Sequence, residues 1–187
     1  MLGFERFLEY QEQVKVQGTE FHKDIELILT NQASKEIEAK PHLKQIIECI
    51  RTDIRDPVLI EAPVTHWNLL YTGRVDCVAY YKNTLCLIDW KSSEKSKKQQ
   101  QLTDLYDVPV QISAYIGAFF NDPNLKHIRA KHKIENALIV YISKTTGELS
   151  IHPVNYQQAE FYWYEWLNSL RKFWYLVLKH KSKSFKS

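Results

Sequence analysis

The chain has 187 residues and a formal net charge of only +3 at pH 7, with 44% hydrophobic and 25% charged residues. This length predicts a single domain over residues 1–187 with one substantial core, and the composition excludes a disordered chain. The small net charge excludes a strongly basic protein, so contacts with nucleic acid would have to come from local clusters of lysine and arginine.

The three cysteines, Cys49, Cys77 and Cys86, are scattered and show no C-x-x-C spacing. They predict reduced thiols in an intracellular compartment and argue against a zinc site or a disulfide framework. No apolar run reaches about 18 residues, so no membrane span is expected. The first residues are helix-like and include Glu5 and Glu9, which is typical neither of a signal peptide nor of an acid-poor transit peptide.

Apolar residues at helical spacing predict five helices. The first occupies residues 1–16, and a second starts at Gly18-Thr19. The others are predicted over His42–Ile54, Val110–Phe120 and Tyr156–His180. Residues 181–187 are predicted to form a basic tail.

Alternating or continuous apolar segments predict five strands between these helices. They cover Pro57–Val64, Leu69–Tyr80, Leu85–Trp90, Asn136–Ser143 and Glu148–His152. The polar, basic segment Ser92–Asp107 is predicted to be a mobile loop. The order of elements predicts an α/β or α+β fold, with a sheet flanked by helices.

Asp76 and Asp89 flank the predicted central hairpin. If Lys82-Asn83 is its two-residue turn, residues whose numbers sum to 165 pair across the ladder, and the two aspartates face each other. Their Cβ atoms would lie about 4.5–5.5 Å apart, which is destabilising unless a cation or a shared proton intervenes. Lys91 projects from the same face, so the set predicts a site for a divalent cation and a phosphate. Lys-Asn is not the favoured Asn-Gly turn, and another register would direct one aspartate to solvent.

His22 and Glu61 are further candidates, each with two interpretations. His22 lies at the edge of an apolar stripe, so it either pairs with Glu26 one turn away or serves as a third ligand of the cation. Glu61 lies in an apolar strand near Pro63, so it either faces solvent on an edge strand or accepts a hydrogen bond from a metal-bound water.

Gln111 and Tyr115 lie one turn apart on a predicted helix and therefore share a face. Their amide and hydroxyl groups are suited to bind a phosphate or a base edge, or else form an ordinary polar rim.

Four motifs in this order resemble the RecB-type branch of the PD-(D/E)xK nuclease superfamily, over about residues 18–115. They are Gly18-Thr19-x-x-His22, Gly73-x-Val75-Asp76, Asp89-x-Lys91 and Gln111-x-x-x-Tyr115. The sequence around the last three of these motifs resembles most closely that of the metazoan mitochondrial genome maintenance exonucleases. This resemblance implies a restriction-endonuclease-like core with a mixed sheet of about five strands. It also implies Mg²⁺ or Mn²⁺ as cofactor, single-stranded DNA ends or flaps as substrate, and residence in mitochondria; we expect a monomer.

The resemblance also implies roles for individual residues. The predicted metal ligands are His22, Asp76, Asp89 and, as a fourth, the carbonyl of Trp90. The predicted catalytic group is Asp76, Asp89 and Lys91, with Lys91 as the family's catalytic lysine. Glu61 is added to this group from its own position, as a candidate acceptor for a metal-bound water. The predicted substrate contacts are Gln111, Tyr115, Ser93 and Lys95.

Residues outside these motifs have weaker assignments. Candidates for contacts with a nucleic-acid backbone are Lys95, Lys97, Lys98, Arg51, Arg55 and Arg74. Candidates for base stacking are Trp67, Tyr71 and Tyr106, whereas Trp163, Trp166 and Trp174 are expected to pack the last helix onto the core.

Two features depart from the resembling families. Their members normally carry a presequence ahead of the first helix, and the cysteine quartet of their iron–sulfur relatives is missing here, which argues against such a cluster. The alternative function is a catalytically inactive DNA-binding module with the nuclease fold. A hydrolase that uses only the two acids would leave Lys91 and His22 without a role.

Overall fold

The computed structural model describes residues 2–134 and 136–184. Its helices are α1 (Leu2–Leu29), α2 (Lys35–Glu38), α3 (Lys44–Asp53), α4 (Val108–Asn121), α5 (Lys126–Arg129) and α6 (Tyr156–Ser184). Its strands are β1 (Ile54–His66), β2 (Tyr71–Tyr81), β3 (Thr84–Ser93), β4 (Asn136–Ser143) and β5 (Leu149–Val154). No helix in the described part of the chain is both long and apolar enough to cross a membrane.

The strands form one mixed sheet in the order β1-β2-β3-β4-β5. Only the β3–β4 pair is parallel, because α4 lies between these strands and returns the chain to the same edge. The other three pairs are antiparallel. This five-stranded α/β sheet flanked by helices confirms the predicted fold class and is consistent with a restriction-endonuclease-like core.

The turn between β2 and β3 sets the register of the central hairpin. Lys82 and Asn83 both have positive φ, +46° and +75°, as the central residues of a type I′ turn require. Tyr81 pairs with Thr84 and, at the far end, Cys77 pairs with Ile88. The predicted register is therefore confirmed, although neither turn residue is glycine.

Helices cover both faces of the sheet, and successive residues of β3 show this because they belong to two different apolar clusters. Ile88 and Trp90 of β3 pack in a cluster with residues of α1 and α3, among them Ile25 and Ile46. Leu87, which precedes Ile88 and points to the other face, packs in a second cluster with residues of α4 and β4, including Ile112, Phe119 and Ile139. The sheet is thus the middle layer, and both faces are apolar away from the site.

Several predicted boundaries are wrong. The predicted break at Gly18 does not exist, because α1 continues without interruption to Leu29. A glycine inside a helix costs only about 1 kcal/mol, which packing of the following turns offsets. The predicted third helix begins with a 3₁₀ turn, Pro41–Leu43, and gives way to β1 at Ile54. Helix α6 extends to Ser184 into the predicted tail, whose last residues, 185–187, lie outside the described residues.

Candidate metal centre

Three acidic residues occupy one row across three neighbouring strands. In the β1–β2 register, Ile60 pairs with Cys77 and Ala62 with Val75, so Glu61 stands opposite Asp76. In the β2–β3 register, Asp89 stands at the next position after the pair of Cys77 and Ile88, again opposite Asp76. Like charges at adjacent cross-strand positions repel each other, so the row needs a compensating positive charge.

His22 reaches this row from α1. Its Nδ1 lies 3.5 Å from Oε1 of Glu61 and 3.5 Å from Oδ2 of Asp76. One ligand atom from each of these three residues lies within 4.8 Å of the others. Glu26 pairs instead with Lys23 at 2.8 Å, so the interpretation of His22 as its partner is wrong.

Asp89 and Lys91 form a buried pair at the end of the same row. Asp89 is only 1% exposed, and Nζ of Lys91 lies 2.7 Å from its Oδ2. The other oxygen, Oδ1, has no hydrogen-bond partner among the described residues. A buried carboxylate oxygen without a partner is costly, and a cation can compensate it.

Burial and mutual repulsion disfavour the charged forms of these residues. Burial, and then the charge of Asp89, raise the pKa of Asp76 to about 8. Burial also raises the pKa of Asp89, against the opposing effect of Lys91. Burial and the nearby Lys91 lower the pKa of His22, which favours the neutral imidazole that ligates metals.

The donor set fits a hard divalent cation. Carboxylate oxygens with one imidazole nitrogen suit Mg²⁺ or Mn²⁺, and a bound cation would favour the ionised acids that burial alone disfavours. The tight three-residue group contains Glu61 and leaves out Asp89, so Asp89 as a ligand stays a prediction. The carbonyl of Trp90 as a ligand stays a prediction.

Glu61 has a strained backbone at this site. Its φ is +46°, a left-handed conformation that costs a residue other than glycine about 1–3 kcal/mol. The guanidinium of Arg74 donates a hydrogen bond to the Glu61 carbonyl and holds this conformation. Its side chain is 22% exposed and directed toward His22, so the interpretation that Glu61 merely faces solvent on an edge strand is wrong.

Helix α4 places Gln111 and Tyr115 beside the acids. Nε2 of Gln111 donates a hydrogen bond of 2.8 Å to the hydroxyl of Tyr115. Burial, and then the charges of Asp89 and Asp76, raise the pKa of Tyr115 to about 12, which reflects its closeness to the row. The Tyr115 ring lies against Gly73, where a Cβ atom would overlap it.

Tyr141 of β4 is a neighbour of the site that the sequence did not indicate. It pairs with Lys91 in the parallel β3–β4 ladder, and burial and the charge of Asp89 raise its pKa. Nζ of Lys97 lies 6.0 Å from the centre of its ring. A parallel register over a long crossover leaves no local signal, so only the fold brings these residues together.

The other predicted contact residues divide into exposed and engaged groups. Trp67 and Tyr106 are 56% and 86% exposed and remain available to bases. Tyr71 is not, because its ring packs against His66 and Trp166, and its hydroxyl donates to the carbonyl of Ala114. Base stacking by Tyr71 was therefore a wrong prediction.

The predicted basic contacts are mostly engaged with the protein. The side-chain partners are Glu38 for Arg51, Asn83 for Arg55 and Glu148 for Lys98. The Ser93 hydroxyl donates to the carbonyl of Lys95 and shapes the turn after β3. Trp163 and Trp166 pack against His66 and Tyr71, as expected for the last helix, and Trp174 is partly buried.

Fold and site together define an α/β protein with a restriction-endonuclease-like sheet and an acid, histidine and lysine cluster able to hold a divalent cation. No protein-family model matches the chain. The chain is 35% identical over 175 residues to mitochondrial genome maintenance exonuclease 1 of Mus musculus. It is 34% identical to the proteins of the same name from Xenopus tropicalis and Homo sapiens.

These matches cover 92% of this chain and 50%, 48% and 49% of the three relatives. The chain thus resembles the mitochondrial genome maintenance exonucleases over nearly its whole length, and it spans about half the length of the curated relatives it matches.

Proposed function

We propose that this chain is the nuclease domain of a metal-dependent exonuclease. It hydrolyses phosphodiester bonds at the ends or flaps of single-stranded DNA and maintains the mitochondrial genome. The observation that carries the proposal is the row of Glu61, Asp76 and Asp89, the last two of them buried, with His22 and Lys91 beside it. The similarity to proteins named as exonucleases supports the reaction, and their names support the mitochondrial setting.

The acids and His22 hold the cofactor in this proposal. Asp76, Glu61 and His22 supply the ligand atoms that lie within 4.8 Å of each other, and Asp89 supplies its unpartnered Oδ1. In this position, Mg²⁺ or Mn²⁺ would lower the pKa of a bound water and polarise a phosphoryl oxygen. The hydrogen bond from the backbone N–H of Trp90 orients Asp76 for this role.

Lys91 is the proposed catalytic cation. Its contact with buried Asp89 holds the ammonium group next to the acid row, where the phosphate of the substrate must lie. From there it orients the attacking water and stabilises the negative charge that grows on the phosphoryl oxygens. The environment is largely buried, which strengthens this electrostatic effect.

Residues around the row bind the strand. The amide and hydroxyl groups of Gln111 and Tyr115 contact a phosphate or a base edge, and Ser93 and Lys95 contact the backbone beyond β3. The exposed ring of Tyr106 stacks on a base, which requires an unpaired strand. The protein acts as a monomer in this proposal.

A catalytically inactive DNA-binding module is the second candidate. It needs no row of adjacent acids, and such a row is costly to keep in a fold without a bound cation. The two candidates differ in one outcome, because only the nuclease releases labelled nucleotides when a divalent cation is added.

The test uses a single-stranded 30-mer labelled at either end, and its duplex, in Mg²⁺, Mn²⁺ or EDTA. We expect cleavage of the single strand only with a divalent cation, and a loss of at least about 100-fold in Asp89→Asn. Glu148→Gln, which removes an acid far along the chain that pairs with Lys98, is the control and should cleave normally. Binding of the strand without any cleavage would favour the inactive module.

A further inference from the structure

The end of the chain concentrates its positive charge. Residues 166–187 contain six lysines and arginines and no aspartate or glutamate, so the remaining residues carry a net charge of −3. Arg171 and Lys172 lie in the described part of this segment, and no ion pair to either is found among the residues that the structure describes. Arg171 and Lys172 therefore carry charge that no described residue neutralises in an ion pair.

Exposed aromatic rings share this helix. Phe161, Tyr164 and Tyr175 are 60%, 59% and 63% exposed. They lie on the side opposite Trp163 and Leu170, the residues that pack against the body of the protein. At about 1.5 Å per residue, Phe161 and Tyr175 are about 21 Å apart along the axis. Rings and charges together form the α6 stripe, made of Phe161, Tyr164, Arg171, Lys172, Tyr175 and Lys179.

The α6 stripe runs toward the end of α4 that lies beside the candidate metal centre. The ring of Trp163 lies against Gly117, and Trp166 lies against Tyr71, whose hydroxyl binds the carbonyl of Ala114. Later residues of α6 thus meet earlier residues of α4, so the two helices are antiparallel. Continuing in this direction, the basic half of α6 extends past the end of α4 that carries Gln111 and Tyr115.

We propose that the α6 stripe is a second contact surface for single-stranded DNA, which holds the part of the strand that lies beyond the acid row. This inference rests on the proposed function, because it takes the same strand as substrate. The stripe stacks bases on its rings and binds phosphates with its cations, whereas the acid row takes the end to be cut.

The chemistry of the stripe favours this occupant. Unpaired bases stack on exposed aromatic rings, and lysine and arginine side chains neutralise the phosphates of the backbone. A duplex hides its base faces and would use only the cations. A membrane-surface helix needs one broad apolar face that is free. In α6, Trp163 and Trp166 pack against the body of the protein. Phe173, Leu176 and Leu178 are exposed, but Leu178 projects to a different side of the helix from the other two, so the three do not form one face. A second copy of the stripe would bring two basic segments together, which is repulsive.

The experiment measures binding of a labelled single-stranded 30-mer in EDTA, where no cleavage occurs. Two double variants remove the rings or the charges: Tyr164→Ala with Tyr175→Ala, and Arg171→Gln with Lys172→Gln. We expect each to raise Kd at least about fivefold, since one stacked ring contributes that much. The charge variant should also reduce the slope of log Kd against log salt by about 1.4, the value for two phosphate contacts on a single strand.

Tyr156→Ala is the matched control, because this ring is 75% exposed on the same helix but precedes the stripe. It should bind as the wild type does, and thermal melting should show all variants folded. If the double variant of Tyr164 and Tyr175 has a lowered Tm, the Kd of the double variant of Arg171 and Lys172 tests the inference on its own. With Mg²⁺, both double variants should slow cleavage of the 30-mer at low substrate and leave cleavage of a 6-mer unchanged.

Four results would overturn the inference. The first two are an unchanged Kd for the 30-mer in both double variants and equally tight binding of duplex DNA by the wild type. The other two are variants that lose binding to anionic vesicles but not to DNA, and a wild-type dimer that dissociates in the variants. Failure of the proposed function looks different. In that case the wild type binds the 30-mer through the stripe in EDTA and cleaves no strand in Mg²⁺. If the wild type cleaves the strand but neither double variant changes Kd, the proposed nuclease function stands and the role of the α6 stripe is refuted.

Discussion

The backbone N–H of Trp90 on β3 donates a hydrogen bond of 2.8 Å to Oδ2 of Asp76 on β2. This bond ties the carboxylate to the strand that carries Asp89 and Lys91, so the relative positions of the two acids depend on the sheet and not on flexible side chains alone. The bond also favours the ionised form of Asp76, but burial and the charge of Asp89 outweigh it and raise the pKa to about 8. Function and stability therefore oppose each other at this residue.

Asp76→Asn should stabilise the protein in EDTA, and more so as the pH rises. The folded pKa of Asp76 is about 8 and its ordinary value is 3.8, so between these values the folded state binds more protons than the unfolded state. The stability of the wild type consequently falls as the pH rises from about 4 to about 8. Asparagine keeps the acceptor for Trp90 without a charge and avoids this loss.

Thermal melting at pH 5 and pH 8 in EDTA measures this effect. At pH 8 the Tm of Asp76→Asn should exceed that of the wild type by at least about 3 °C, which corresponds to about 1 kcal/mol in a chain of this size. The difference should be smaller at pH 5. The same Tm difference between the wild type and Asp76→Asn at pH 5 and at pH 8 would contradict the raised pKa of Asp76.

Lys91→Ala should abolish cleavage while the chain still folds and binds the strand. Its Nζ lies 2.7 Å from buried Asp89, and loss of one preorganised donor of this kind costs about 100- to 1000-fold in rate. Single-turnover cleavage of a labelled strand in Mg²⁺ measures it, with Lys98→Ala as the control for an exposed lysine. Retention of more than a tenth of the wild-type rate would remove Lys91 from the mechanism.

Gly117→Ala should destabilise the protein, whereas Gly18→Ala should not. A Cβ atom at Gly117 would overlap the ring of Trp163, and the overcrowding costs about 1–3 kcal/mol. A Cβ atom at Gly18 meets nothing within 4 Å, so alanine there should gain about 0.5–1 kcal/mol from helix propensity. Urea unfolding of the two variants compares them directly, and equal stabilities would show that α6 does not pack closely on α4.

The central hairpin is the part of the site that the sequence determines most directly. A two-residue turn fixes the pairing of every later residue, so residue numbers alone are enough to place Asp76 opposite Asp89. The sequence indicated Glu61 only as one of two open interpretations. Its placement beside His22 and Asp76 could not be predicted, because it depends on the register of β1 and on a positive φ that its residue type does not favour.

Long-range packing accounts for the other differences. Tyr71 is an aromatic residue of the kind that stacks on bases, but its ring packs against Trp166 of α6, which is distant in sequence. Gly18 predicts a helix break locally, yet the next turns bury Phe21 and Ile25 and keep α1 continuous. Local propensity is a weak term, and contacts between distant elements override it.

Titration of the wild type and Asp76→Asn with Mn²⁺ at pH 7.5, followed by calorimetry, tests most directly whether the acid row holds a divalent cation. The wild type and the control Glu148→Gln should bind with the same affinity, and Asp76→Asn should bind at least about tenfold more weakly, because it loses one charged ligand. Equal Mn²⁺ affinity in Asp76→Asn and the wild type would contradict the account.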